Sequence, residues 1–176
     1  MNPVTQIEPV LQQLRFNIDQ LLLLLSQKEK FVIQRRYGID EKNRATLEEI
    51  GRSFQVTRER IRQIEKNALQ KLIRNVANSP VDTVNQLAYQ ILQDNGGLMR
   101  EDLLIGKLLV ESNYYSYAAL QLILSLEKRF ERVPNTVKFH PYVKFKTVSF
   151  EFINDVVGQT CLFLEREKKV KSVSEI

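Results

Sequence analysis

The chain has 176 residues, 43% of them hydrophobic and 27% charged, with few Gly or Pro; this excludes wholesale disorder and allows one good core or two small ones. A single cysteine, Cys161, excludes an intramolecular disulfide framework and fits a reducing cytoplasm, and the longest purely apolar run, Leu21 to Leu25, is far short of the roughly 20 residues a membrane-spanning helix needs. The net charge of +5 points to a polyanionic partner chiefly through its distribution, because Lys28 to Arg74 holds 13 Lys or Arg against 7 Asp or Glu, enough to account for the whole excess.

Ile7, Val10, Leu11, Leu14, Ile18, Leu21, Leu22 and Leu25 recur at helical spacing and predict an amphipathic helix over 7–25. Ser26-Gln27-Lys28-Glu29 has the form of a capping box, so a second helix is expected there, with Phe31, Val32 and Tyr37 inward and Gly38 ending it. Ile39 to Ala45 is polar and reads as a loop. Thr46-Leu47-Glu48-Glu49 is another capping box, opening a short helix with Leu47, Ile50 and Phe54 inside. Gly51 in its middle costs about 1 kcal/mol against Ala, which close packing of the next helix explains. Gln55-Val56 makes a turn and Thr57 caps the following helix, whose Ile61, Ile64, Ala68, Leu69 and Leu72 point to the core.

Two short helices around a tight turn form a helix-turn-helix, and the second such helix places its N-terminal residues against base edges in the DNA major groove. Arg58, Glu59, Arg62 and Gln63 share the outer face of its first turn and a half. Arg bonds guanine O6 and N7, Gln bonds adenine N6 and N7, and Glu accepts from cytosine N4, so the quartet holds a reader for each of three bases. The plainer alternative is a solvated helix face laced by ion pairs.

Residues 8–76, above all YGIDEKNRATLEEIGRSFQVTRERIRQIEKNALQKL, resemble the fourth region of housekeeping-type bacterial sigma factors, which recognises the −35 promoter element. The resemblance implies base contacts for Arg58, Glu59, Arg62 and Gln63, and phosphate proximity for Arg36, Thr46 and Leu47, to which Thr57, Arg60 and Lys66 are added as candidates. It also implies docking on the flap of the RNA polymerase beta subunit. Ile64-Glu65-Lys66-Asn67-Ala68-Leu69 departs from the IEAKAL that family members often carry, which bears on contacts to upstream activators. About 100 residues follow the segment and few precede it, so the chain is not expected to act as a complete sigma factor.

Asn75 to Ser79 is the expected domain boundary, and Ser79-Pro80 reads as a helix start. A helical stripe from Val81 to Asp94 stops at Asn95-Gly96-Gly97, and two further helices are predicted over 100–111 and 116–129. Alternation in Phe130-Glu131-Arg132-Val133 and from Val137 through Phe145, with Pro134-Asn135-Thr136 between, predicts a β-hairpin. This order, with ILQDNGGLMREDLL and RFERVPNTVKF, resembles winged-helix modules of the HARE type and of the RNA polymerase delta subunit over residues 80–146. Its third helix carries Tyr114, Tyr115, Tyr117 and Gln121 but little positive charge, leaving DNA and protein contacts both open. A last helix over 148–171, with Phe152, Ile153, Val156, Val157, Cys161, Leu162 and Leu164 on a broad apolar face, needs cover from the winged part or a second copy; Cys161 is expected to be buried and inert, and Lys168, Lys169 and Lys171 form a basic tail.

Lone His140 has no Cys or His at metal-ligand spacing, no phosphate loop follows Gly96-Gly97, and no catalytic constellation emerges, so neither a metal, a cofactor nor an enzymatic reaction is expected. The expected fold is mainly α: a four-helix helix-turn-helix domain over 1–78, a winged-helix-like domain with a small β-hairpin over 79–146, and a final helix and tail over 147–176. The expected function is a cytoplasmic bacterial transcription regulator that reads a −35-like element in double-stranded DNA, with the RNA polymerase beta flap as a further partner and homodimerisation through the last helix. The alternative is an interaction factor that occupies the sigma site on the beta flap, or binds a sigma factor, without reading bases. No membrane partner is expected.

Overall fold

The computed structural model describes residues 10, 12–39, 43–109 and 114–167, with the side chains of 114 and 115 not included. The elements are α1 (Leu14–Leu22), α2 (Gln27–Tyr37), α3 (Leu47–Phe54), α4 (Arg58–Asn75), a 3-10 turn (Val76–Asn78), α5 (Asp82–Asp94), β1 (Leu98–Arg100), α6 (Glu101–Leu108), α7 (Tyr114–Leu126), β2 (Phe130–Val133), β3 (Tyr142–Phe145) and α8 (Phe150–Glu167). The chain is mainly helical, as the sequence predicts, with four helices ahead of a three-helix and sheet unit. Ile7 and Leu11 of the first predicted helix, and the basic tail at Lys168, Lys169 and Lys171, lie outside the described residues.

Local signals set the helix ends. Ser26 accepts from the Glu29 backbone N–H while Glu29 accepts from that of Ser26, and Gly38 ends α2 at φ 72°. Thr46 and Glu49 reciprocate in the same way at α3. The Thr57 hydroxyl accepts from the Arg60 N–H to start α4. Each such cap satisfies backbone donors that the first turn of a helix leaves without partners.

The helix-turn-helix has a small core of its own, in which Val32, Ala45, Ile50, Ile61 and Ile64 are buried with Leu47, Phe54 and Val56 against them. A larger buried cluster runs from Leu14, Ile18, Leu21 and Leu22 of α1, through Ala68 and Leu72 of α4, to Val84, Leu104, Leu120 and Val143 in the second half. The three-stranded antiparallel sheet has the order β1-β3-β2, with Met99 opposite Val143 and Arg132 opposite Val143 on the other side. Tyr37 donates its hydroxyl proton to Ser125 Oγ at 2.9 Å, joining α2 to α7 across the two halves.

Several local expectations are corrected. Phe31 is exposed rather than inward, lying edge-on to Phe54 at 5.2 Å between ring centroids, and Ile33 takes the buried place. Ser79 does not cap α5: its hydroxyl donates back to the Val76 carbonyl, and the helix starts three residues later at Asp82. Arg100 belongs to β1, a strand too short to show an alternating pattern in the sequence. Residues 137–139 form no strand; the hairpin pairs Phe130–Val133 with Tyr142–Phe145. Cys161 is exposed, because α8 is buried only at Ile153.

Candidate nucleic-acid interface

The geometry of the interface follows from the approach of α3 to α4. Gly51 lies where a Cβ would sit 2.8 Å from the Val56 carbonyl oxygen and 3.6 Å from the Arg58 nitrogen, so the turn rests on the bare backbone of α3. The Val56 N–H donates to the Gly51 carbonyl at 3.0 Å, and Gln55 takes the left-handed conformation at φ 54° to reverse the chain. Ile61 and Ile64 then face the small core. With those positions inward, the helical period leaves Arg58, Glu59, Arg62 and Gln63 on the solvent side, and all four are exposed.

Three of the four side chains are linked through Glu59. Arg62 donates to it twice, from Nε at 2.8 Å and from Nη2 at 2.7 Å, and Gln63 Nε2 donates at 3.5 Å. Arg60 Nη1 donates to the side-chain oxygen Oε1 of Gln63 at 3.2 Å. The side-chain bond from Arg62 holds the Glu59 carboxyl below the usual carboxylate range, and the same bond raises the Arg62 guanidinium. Both groups are more than half exposed, so the pair is readily exchanged for other partners in a polar groove. The ion pair of the plainer alternative is therefore present, at a spacing of three, within the candidate base-reading quartet.

Arg36 is placed differently from the others. It is half-buried, with Nε on Glu65 at 3.0 Å and Nη1 on the Ala45 carbonyl at 2.8 Å. This fixes the backbone that leads into the Thr46 cap. Arg36, Thr46, Leu47, Glu48 and Arg58 line one open cleft, so three of the phosphate candidates meet the first of the candidate base readers there. Thr57, Arg60 and Lys66 are exposed along α4. Sequence reading missed the Glu65 anchor of Arg36 and the Lys71 ammonium, 2.8 Å from Glu29, which ties α4 to the start of α2; neither pairing leaves a local signal.

An exposed basic helix at the end of a capped helix and turn is the arrangement that major-groove readers share. Residues 21–73 match the family described as Sigma-70, region 4. The RNA polymerase sigma factor SigA of a Nostoc species is 52% identical over 66 residues, covering 38% of this chain and 17% of that protein. The RNA polymerase sigma factor RpoD of Helicobacter pylori is 44% identical over 73 residues, covering 40% of this chain and 11% of its own length. The SigA of Lactococcus lactis subsp. cremoris is 46% identical over 59 residues, covering 34% of this chain and 16% of its own. The chain thus spans less than a fifth of the length of these curated relatives.

That segment coincides with the part of the fold described above, from the end of α1 through nearly all of α4. The second half of the chain lies outside the match. Among the described residues no group of three or more His, Cys, Asp or Glu could hold a metal ion, and no helix is long and apolar enough to cross a membrane.

Proposed function

We propose that the chain is a sequence-specific DNA-binding transcription regulator that reads a −35-like promoter element through α4. Arg58, Glu59, Arg62 and Gln63 are the base readers in this reading, and Arg36, Thr46, Leu47, Thr57, Arg60 and Lys66 lie against the phosphates. The observation that carries it is the exposed quartet on the first turns of a capped helix, beside a cleft that brings Arg36, Thr46 and Leu47 to Arg58. Backbone contacts set register and base contacts set sequence, and both kinds of group are present on one surface.

Binding of the full chain to a duplex carrying TTGACA, set against a scrambled duplex over a salt series, tests the reading. Tighter binding to TTGACA at every salt concentration is expected. If Arg36, Arg60 and Lys66 supply the phosphate neutralisation, the log–log salt slope is about −2.7, at roughly −0.9 per neutralised phosphate. Arg58→Ala and Gln63→Ala should each relax preference at one base position. Equal affinity for both duplexes would remove base reading and leave phosphate attraction alone.

A second reading rests on a separate surface. Phe31, Phe54, Gln27, Lys28 and Ser53 line an open cleft between α2 and α3, with the Lys28 ammonium 4.9 Å from the Phe54 ring centroid. An exposed Phe31 beside a half-buried Phe54, rimmed by polar groups, suits a protein partner. In this reading the chain meets the RNA polymerase beta flap, and a pull-down with the isolated flap tests it; Phe31→Ala should weaken capture without altering preference for TTGACA.

A further inference from the structure

The end of α2 lies between two cores. Val32, with Ala45 of the following loop, belongs to the small core of the helix-turn-helix. Ile33 and Ile39 belong to the larger cluster that continues into α5, α6 and α7, and Tyr37 packs against it. Arg36, the candidate phosphate contact, therefore sits in the one turn that both halves of the chain hold.

The bonds of that turn run to both sides. The Ala45 N–H donates to the Arg35 carbonyl at 2.9 Å, and the Gly38 and Ile39 N–H groups donate to the Gln34 carbonyl at 2.8 and 2.9 Å. These satisfy carbonyls that a helix end leaves without partners, and they tie the turn to the loop that enters α3. From the other side the Tyr37 hydroxyl donates to Ser125 Oγ at 2.9 Å, while the Ser125 hydroxyl donates to the Leu122 carbonyl at 2.6 Å, so both groups are satisfied on α7.

Arg36 depends on this support. Glu65 and the Ala45 carbonyl take two of the five N–H groups of its guanidinium, and the side chain still lines the cleft with Thr46, Leu47 and Arg58. A planar guanidinium held at two points presents its remaining donors in one orientation, which is only as fixed as the turn that carries it.

We propose that Tyr37 and Ser125 are positioning residues for DNA binding. Through their bond, α7 fixes the last turn of α2 and with it the Arg36 guanidinium, so the second half of the chain sets phosphate affinity through residues that do not touch DNA. This rests on the phosphate role proposed above for Arg36, and not on base reading.

Affinity of the full chain for the TTGACA duplex and its scramble tests the proposal, measured over a salt series at a temperature where circular dichroism shows every variant folded. Arg36→Gln should weaken binding to both duplexes alike and make the log–log salt slope shallower by about 0.9, the loss of one neutralised phosphate. Tyr37→Phe and Ser125→Ala should each weaken both duplexes alike by about threefold or more, with a shallower slope, and the two together should do no more than either alone. In the Arg36→Gln background, Tyr37→Phe should have no further effect on affinity. A bond that only stabilises the fold would lower Tm and leave the affinity and slope of the folded protein unmoved. A Tyr37→Phe protein that binds like the wild type with the same slope overturns the proposal. So does one in which Tyr37→Phe weakens the Arg36→Gln protein as much as it weakens the wild type, or an Arg36→Gln protein that binds like the wild type. Equal affinity of the wild type for the two duplexes refutes base reading alone, because positioning is read from the affinity common to both.

Discussion

Gly51→Ala is the substitution that most directly probes how the interface is held. In an ordinary helix interior, Ala is favoured over Gly by about 1 kcal/mol. Here the new methyl group would lie 2.8 Å from the Val56 carbonyl oxygen, 0.6 Å inside the 3.4 Å at which ordinary contact begins. The obstacle is backbone, and it cannot rotate away as a side chain would. Overpacking of this kind costs about 1–3 kcal/mol, and displacing the turn weakens the Val56 to Gly51 hydrogen bond, itself worth about 0.5–1.5 kcal/mol. Against the propensity gain, the net expectation is a loss of about 2 kcal/mol, or a fall in Tm of about 4–8 °C for a chain of this length. Urea denaturation gives the first quantity and calorimetry the second. Because the turn also sets the angle of α4, affinity for TTGACA should fall even at temperatures where the variant is fully folded. A Gly51→Ala protein as stable as the wild type or more so would show that α3 and the turn do not meet as closely as this account requires.

Three further outcomes are expected. Tyr37→Phe removes the hydroxyl bond to Ser125 and should cost about 0.5–1.5 kcal/mol in chemical denaturation, because the Ser125 hydroxyl keeps its bond to the Leu122 carbonyl. Glu101→Gln should cost more, about 2–3 kcal/mol: the carboxylate is 3% exposed, holds Arg132 at 2.7 and 2.8 Å, and accepts from Gln121, while the 38% exposure of Arg132 keeps the loss below that of a fully buried pair. The third outcome concerns pH. The Lys71 ammonium holds the Glu29 carboxyl low and the Thr46 backbone N–H does the same for Glu49, so both groups bind protons less readily folded than unfolded. Their contribution is full above the unfolded value of 4.5 and is lost as pH falls through the lower folded values, so Tm should be level above 4.5 and decline below it. Lys71→Met should flatten part of that decline.

How much could be read from the sequence depended on the range of the interaction. Ser26 with Glu29, Thr46 with Glu49, and Thr57 with Arg60 are contacts three residues apart, and their residue types announce them. The Gly51 contact was legible because a glycine in a helix interior asks for a reason. Arg36 with Glu65 and Glu29 with Lys71 span the fold, and nothing in either neighbourhood points to the other. Ser79 shows the opposite failure: a good capping residue before a proline was spent on the preceding carbonyl instead. On α8, periodicity predicts the helix but carries no information on whether anything covers it, and so Cys161 is expected inside whereas it is exposed.

The same limit applied to α7, and there the structure narrows the possibilities. In a winged helix the third helix is the one that enters a groove, and the sequence left DNA and protein contacts equally open for it. Ala118, Ala119, Leu120, Leu122, Ile123, Leu124 and Leu126 are all buried, and α7 packs on α1, α2 and α4 as well as on α5 and α6. Gln121, the polar side chain best suited to base reading, is itself buried and donates to Glu101 at 2.8 Å. From Ala118 to Leu126 the described side chains of α7 leave no face for a groove, and placing that stretch in one would require separating the second half from the sigma-like segment through the Tyr37 to Ser125 bond and the shared core. Sequence preference should therefore reside in α4. Gln121→Ala should lower stability while leaving discrimination between TTGACA and its scramble intact, whereas a Gln121→Ala protein that keeps its stability and loses discrimination would return α7 to the DNA.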